Sequence, residues 1–169
     1  MKNKQTEDFP ESFYVMIEIP MGSNCKYEYK EELDNIVLDR VLFTAMTYPA
    51  NYGFALDTRG KDGDPLDVLV FSSVSINPGI IVRCRAIGVA EMNDEEGEDN
   101  KILAVPVDKV DPASSIVRNE SDIPEYQKDK LKHFFEHYKE LEKGKFMKFH
   151  GFKGRDEAVK QLAEARLKQ

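Results

Sequence analysis

Tryptophan is absent from the 169 residues, cysteine occurs only twice and histidine only three times. Cys25 and Cys84 lie far apart without C-x-x-C spacing, which argues against a redox or thiolate-metal motif. They are expected to be ordinary buried or half-buried thiols in a reducing cytoplasm. No apolar run is long enough to cross a bilayer, and no leader-like apolar stretch follows Met1 to Pro10, so a cytoplasmic location away from the membrane is expected. Positive charge is also in short supply, with 24 Lys and Arg against 31 Asp and Glu and a net charge of −7. That balance repels a phosphate backbone and disfavours a nucleic-acid partner unless the bases gather on one face. An anionic substrate stays compatible with it when divalent cations come too, because bound metal is then the largest local charge.

What is present is globular: 41% hydrophobic and 33% charged residues, with aromatics spread along a chain of ordinary single-domain length. One domain over residues 1–169 is expected. Period-two patterns mark strands at Phe13–Ile19, Lys26–Lys30, Ile36–Arg40, Leu66–Phe71, Ile80–Glu91 and Ile102–Val107. In the first, Phe13, Val15, Ile17 and Ile19 share a face, which turns Glu18 the other way. In the second, Lys26, Glu28 and Lys30 oppose Tyr27 and Tyr29. Breaks at Pro49, Gly53, Gly60, Gly63, Pro78 and Gly79 suggest a small antiparallel barrel rather than βαβ crossovers. After Asp122 the period becomes helical through Leu131, Phe134, Phe135, Tyr138 and Leu141, with a stop at Gly144 and capping expected from Asp122 and Glu125 around Pro124. A second helix is expected from about Asp156 through Val159, Leu162 and Ala163.

Three carboxylates crowd into Asp62-Gly63-Asp64-Pro65-Leu66-Asp67. Close carboxylates repel unless something positive sits between them, and hard cations such as magnesium are the simplest compensation. A solvated acidic turn is the plain alternative, but Asp67 runs into the apolar strand Val68-Leu69-Val70, which gives its side chain a defined direction. An EF-hand does not fit, because Asp67 stands where glycine is needed and Ser73 where a bidentate glutamate is needed. A second acidic run, Asp94-Glu95-Glu96-Gly97-Glu98-Asp99, precedes Lys101 in what reads as a hairpin loop. Alone it is ordinary solvated surface; its meaning depends on whether it meets the first cluster in space.

Together these segments resemble the soluble inorganic pyrophosphatases of family I, the bacterial type with an OB-like barrel. The match is sharpest at D-G-D-P-L-D (Asp62 to Asp67) and continues in I-E-I-P (Ile17 to Pro20), K-Y-E (Lys26 to Glu28), D-R (Asp39-Arg40), Y-P-A-N-Y-G (Tyr48 to Gly53), D-E-E-G-E-D-N-K (Asp94 to Lys101) and H-Y-K (His137 to Lys139). Where bacterial members often carry tryptophan near the end of the long helix and shortly after it, this chain has Phe146 and Phe152. The resemblance implies a five-stranded closed OB-like barrel with a long helix in the C-terminal half and a terminal helix packed on it. It implies hydrolysis of pyrophosphate to two phosphates with several Mg2+ ions per site, Mn2+ or Zn2+ being possible substitutes.

Residue by residue, the resemblance implies that Asp62, Asp67 and Asp99 ligate a first metal, that Asp67 reaches a second, and that Asp94 with Asp99 bind a third arriving with substrate. Asp64 is the implied general base. Glu18 and Glu28 complete an acidic lining, while Lys26, Arg40, Lys101, Tyr48, Tyr52, Tyr138 and Lys139 hold phosphoryl oxygens. Each has a plain alternative: an exposed helix lysine for Lys139, a core aromatic for Tyr138, packing anchors beside turns for Tyr48 and Tyr52, a surface ion pair for Arg40. His133 and His137 lie one helical turn apart, but H-F-F-E-H is not H-E-x-x-H. They are read as structural, on a helix face that contributes to a subunit contact, since bacterial relatives commonly form hexamers. The rival readings are a non-enzymatic OB-fold module for single-stranded nucleic acid, which the net charge opposes, and a metal-binding protein without turnover.

Overall fold

The structure is a computed structural model that describes residues 5–167. The expectations of no leader and of one domain over 1–169 fall partly on residues 1–4 and 168–169, which lie outside the described residues. The elements run β1 (Phe13–Ile19), β2 (Cys25–Lys30), β3 (Asn35–Val41), β4 (Asn51–Ala55), β5 (Asp67–Val70), β6 (Ile81–Asp94), β7 (Gly97–Glu98), β8 (Lys101–Pro106), α1 (Glu125–His137), β9 (Met147–Gly154) and α2 (Arg155–Ala165). All six strands expected from alternation are found, with ends shifted by a few residues.

The main sheet has the order β1-β4-β5-β8-β6-β7, with β9 on β6 and a further pairing between β1 and β6. It is mixed rather than wholly antiparallel as the breaks in the sequence suggested: β5 and β8 are parallel, because the chain crosses over through β6 and β7 between them, whereas the other pairs are antiparallel. The fourteen-residue β6 serves four neighbours along its length, pairing with β1 at Ile81–Cys84, with β8 at Cys84–Ala90, with β9 at Gly88–Asp94 and with β7 at Asn93–Asp94. β2 and β3 form a separate two-stranded antiparallel sheet.

Sheet residues are buried on both faces, which is why Val68-Leu69-Val70 and Ile102-Leu103-Ala104 read as continuous apolar runs. Val68, Val70, Ile102 and Ala104 join Phe13, Val15, Ile17 and Cys84 in one core that α2 closes with Ala158 and Leu162. Leu69, Leu103 and Val105 point into the other, closed by Leu131, Phe134, Phe135 and Tyr138. Cys84 is buried and Cys25 half-buried, both as free thiols.

Beyond the sheet itself, local details also depart from the sequence reading. Ile19 lies in the α1 core rather than with Phe13, Val15 and Ile17, because the β1–β4 register slips by one residue between Ile17 and Ile19 and reverses the facing. Helix α1 ends at His137, with Tyr138 as its C-cap, so Leu141 lies beyond the helix and is exposed. Its start carries no side-chain cap at Pro124; Asp122 instead accepts from the N–H groups of Arg118 and Asn119, closing the short turn before the helix.

Candidate active site

Strand register explains why two distant acidic segments meet. β5 and β8 are parallel neighbours with Val68 opposite Ile102, so Asp67 and Lys101, each one residue earlier, emerge at the same end of adjacent strands. Asp99 lies two residues before Lys101, with its N–H held by the Met92 carbonyl at 2.9 Å. The Lys101 ammonium, 3% exposed, lies 2.5 Å from Asp67 Oδ2 and 2.5 Å from Asp99 Oδ1. Two carboxylates from separate loops thus share one buried cation.

Around this centre opens a cavity of about 730 Å³. All the residues singled out in the sequence line it: Glu18, Lys26, Glu28, Arg40, Tyr48, Tyr52, Asp62, Asp64, Asp67, Asp94, Asp99, Lys101, Tyr138 and Lys139. Asp62 and Asp64 sit on its exposed rim, joined by a bond from the Asp64 N–H to Asp62 Oδ1 at 3.0 Å. Asp94 is the last residue of β6, and its Oδ1 accepts from the N–H groups of Glu96 and Gly97, which folds the hairpin loop back. Lys139 is only 5% exposed, unlike a free helix lysine; its ammonium meets Asp94 at 3.4 Å and Glu95 at 3.1 Å.

The Y-P-A-N-Y-G segment divides its labour. Tyr48 and Tyr52 face the cavity and contact one another at 5.8 Å, with Tyr48 resting on Phe134. Asn51 is fully buried and satisfied, its Oδ1 accepting from Met21 and Ile76 and its Nδ2 donating to the carbonyls of Val70 and Val74. At Gly53 the chain presses on β1 so closely that a Cβ would stand 1.9 Å from the Met16 carbonyl oxygen, so only glycine fits.

Electrostatics follow from burial and neighbours. Burial pushes the phenols of Tyr48 and Tyr52 well above the usual tyrosine value and that of Tyr138 up to about 12, so all three stay protonated donors at neutral pH. Burial also raises the Asp99 carboxyl, which Lys101 offsets only in part while Asp67 and Asp94 add to the rise. Burial would lower Lys101, but Asp67 and Asp99 overcome it and keep the ammonium charged. For Glu28, burial is outweighed by hydrogen bonds from Lys26 and Lys30, which bring it to about 2.

Comparison with known proteins decides the assignment. The family profile described as inorganic pyrophosphatase matches residues 15–168. The chain belongs to the inorganic pyrophosphatase family. The inorganic pyrophosphatase of Saccharolobus solfataricus is 52% identical over 156 residues, covering 92% of this chain and 91% of that protein. That of Aquifex pyrophilus is 50% identical over 153 residues, covering 90% and 86%. The solved structure of the Helicobacter pylori inorganic pyrophosphatase superposes with a TM-score of 0.93 at 45% identity, covering 98% of this chain and 96% of that one.

Glu95 and Lys145 on the cavity wall, and Glu142 behind it, escaped the sequence reading. Glu142, 10% exposed in its side chain, holds Arg40 through Nε at 2.9 Å, while Asp39 takes the same guanidinium at 2.6 Å. Glu95 gathers Lys139 and Lys145, and these bonds overcome burial to bring it to about 2. Nothing in the sequence pointed to the pairing of Glu95 with Lys145.

The cavity's donors suit a hard divalent cation of the kind inorganic pyrophosphatases in this family are expected to use. Among the described residues, no three carboxylate, imidazole or thiolate groups form a closed metal cage. No histidine or cysteine lines the cavity, so Asp62, Asp67, Asp94 and Asp99 offer only oxygen. An open, all-oxygen set fits an ion that keeps several waters and takes substrate phosphates as further ligands.

Glu18 provides a stability test for this family member. It is buried, and its carboxylate accepts the Tyr29 N–H at 2.7 Å, yet burial raises its pKa to about 7, with Asp67 and Glu28 adding to the rise. A carboxyl raised on folding binds its proton more tightly in the folded state. Its stabilisation is full below the ordinary glutamate value and is lost as pH rises through about 7. Glu18→Gln keeps the acceptor for Tyr29 and is expected to stabilise the metal-free protein at pH 8 by about 2 kcal/mol. The gain shrinks toward zero near pH 5. Melting curves in chelator check this, and a gain independent of pH would contradict it.

Proposed function

We propose that this chain hydrolyses inorganic pyrophosphate to two orthophosphates in this cavity, with Mg2+ ions held by Asp62, Asp67, Asp94 and Asp99 and with Asp64 as general base. The observation that carries the reading is the meeting of Asp67 and Asp99 at the Lys101 ammonium, which brings both acidic loops to one place. Magnesium, when bound, would supply positive charge against the diphosphate and lower the pKa of water so that hydroxide could form near neutral pH. Asp64 takes the proton as the water oxygen bonds to one phosphorus and the bridging P–O bond at that phosphorus breaks, the other phosphate leaving with the bridging oxygen. Among the described residues its carboxylate has no ion-pair partner, which leaves it available as a base. Lys26, Arg40, Lys101 and Lys139 neutralise charge growing on the phosphoryl oxygens, and Tyr48, Tyr52 and Tyr138 donate hydrogen bonds without competing for the cation. Glu18 and Glu28 orient water around the ions.

The ring of pairings β1-β4-β5-β8-β6-β1 supports an OB-like closed five-stranded barrel, within one domain acting in the cytoplasm. Among the described residues, no helix is long and apolar enough to cross a membrane. The face of α1 bearing His133 and His137 is read as a contact in a homohexamer; a light-scattering mass near the 19.4 kDa of one chain would overturn that reading. Mn2+ or Zn2+ are possible substitutes for Mg2+, and the all-oxygen donor set favours Mn2+ of the two.

Phosphate release from pyrophosphate, with and without magnesium and with ATP as control substrate, tests the activity. Magnesium-dependent release from pyrophosphate is expected. Release without any divalent ion would contradict the mechanism. A salt-sensitive gel shift with plain oligonucleotide and no hydrolysis would favour the nucleic-acid module instead.

A further inference from the structure

The loop that carries Asp62 and Asp64 leaves β4 at Ala55 and enters β5 at Asp67. Its outer part, residues 61–65, is exposed and closed by local bonds, with the Gly60 N–H donating to the Asp64 carbonyl at 2.7 Å. Such a turn keeps its own shape, but its place over the cavity is decided at its base. There Asp57 adopts a left-handed backbone, φ +51, uncommon outside glycine though tolerated by aspartate, and neighbouring bonds hold it in support of that turn.

Part of that support is local. The Leu56 N–H donates to the Tyr14 carbonyl, and Thr58 Oγ1 bonds the Ala55 carbonyl while accepting from the Leu66 N–H. More comes from the last residue of α2 and those that follow it. The Arg59 N–H donates to the Ala165 carbonyl at 2.7 Å, and the Leu167 N–H donates to the Asp57 carbonyl at 3.0 Å, forming a bridge between Thr58 and Arg166. This segment is itself anchored, since Ala158 and Leu162 of α2 are fully buried against the sheet. Leu167 and Arg59 both reach the cavity lining.

We propose that residues 165–167 are a positioning element for the active site: their backbone clasp on Asp57 and Arg59 sets where Asp62 and Asp64 stand and so sets the affinity for divalent cation. The proposal rests on the metal-binding reading of Asp62 given above. The clasp touches no substrate and acts only through the loop it holds.

Leu167→Pro deletes the N–H that donates to Asp57, and Arg166, at φ −59 and ψ 126, already has the extended backbone that precedes proline. Leu167→Ala removes the side chain and keeps the N–H. Calorimetric titration of substrate-free protein with Mn2+ is expected to show about fivefold weaker binding in Leu167→Pro, the equilibrium equivalent of one net hydrogen bond, and unchanged binding in Leu167→Ala. Amide exchange between Arg59 and Asp64 is expected to quicken in the proline variant alone. The magnesium concentration for half-maximal pyrophosphate hydrolysis should rise by the same factor, with kcat recovered at saturating magnesium. If Leu167→Pro does not fold, a chain ending at Arg166 lacks the same donor and is held to the same outcomes. Wild-type affinity in the variant lacking that donor, or equal losses in the alanine and proline variants, overturns the clasp while leaving the metal site intact. Wild-type protein that binds no Mn2+ overturns the metal reading and the clasp with it.

Discussion

Replacing Asp67 by asparagine is expected to remove most of the activity and to weaken divalent-cation binding at the same time. Asp67 is the proposed ligand shared between two ions, and it also holds the buried Lys101 ammonium at 2.5 Å. Asparagine keeps the shape but lacks the charge, so both a hard cation and the ammonium lose attraction on one side. Losing a partner outside the coordination sphere costs roughly 10- to 100-fold in metal affinity or activity, and a direct shared ligand should exceed the upper end of that range. Assays across a magnesium series separate the effects. A variant whose magnesium dependence matches the wild type would count against the assignment of Asp67.

Asp64→Asn is expected to behave differently although it lies only three residues away. Asp64 is exposed on the rim and makes no ion pair among the described residues, so the fold should tolerate the change to within about 0.5 kcal/mol. Metal affinity should survive, while turnover falls by roughly two to four orders of magnitude, the range for loss of a general base. Near-normal turnover would refute the role. An equal loss of metal affinity in the two variants would show that both aspartates act as ligands.

Legibility of the fold from sequence depended on whether local pattern and tertiary demand agreed. β1, β2 and α2 were readable because their alternation or helical period is continuous. β4 was hidden because Pro49 and Gly53 read as breakers, yet Gly53 is there to let β4 press against the Met16 carbonyl. β9 was missed because Gly151 and Gly154 interrupt its alternation and it lies between two helices. The slip that sends Ile19 to the opposite core has no local signature, since it arises from pairing with a strand distant in sequence.

The candidate site was more legible than the fold around it. Carboxylates crowded beside a turn announce a need for positive charge whatever the tertiary structure, and the family resemblance assembled the remaining residues. Lys139 shows the limit of local reading: helix position suggested an exposed lysine, whereas Asp94 and Glu95 from the β6 end bury it. Supports such as Glu142 behind Arg40 and Ala165 behind Arg59 were invisible, because a residue whose task is to hold another is defined by a three-dimensional neighbour.

The most direct measurement is anomalous diffraction from crystals of the protein soaked in Mn2+, an ion that scatters where the proposed Mg2+ would bind. The prediction is a peak within coordination distance, about 2.0–2.6 Å for oxygen ligands of hard divalent ions, of carboxylate oxygens from both Asp67 and Asp99. Ions found only on the outer surface, with those two side chains still closed on Lys101 and unliganded, would contradict it.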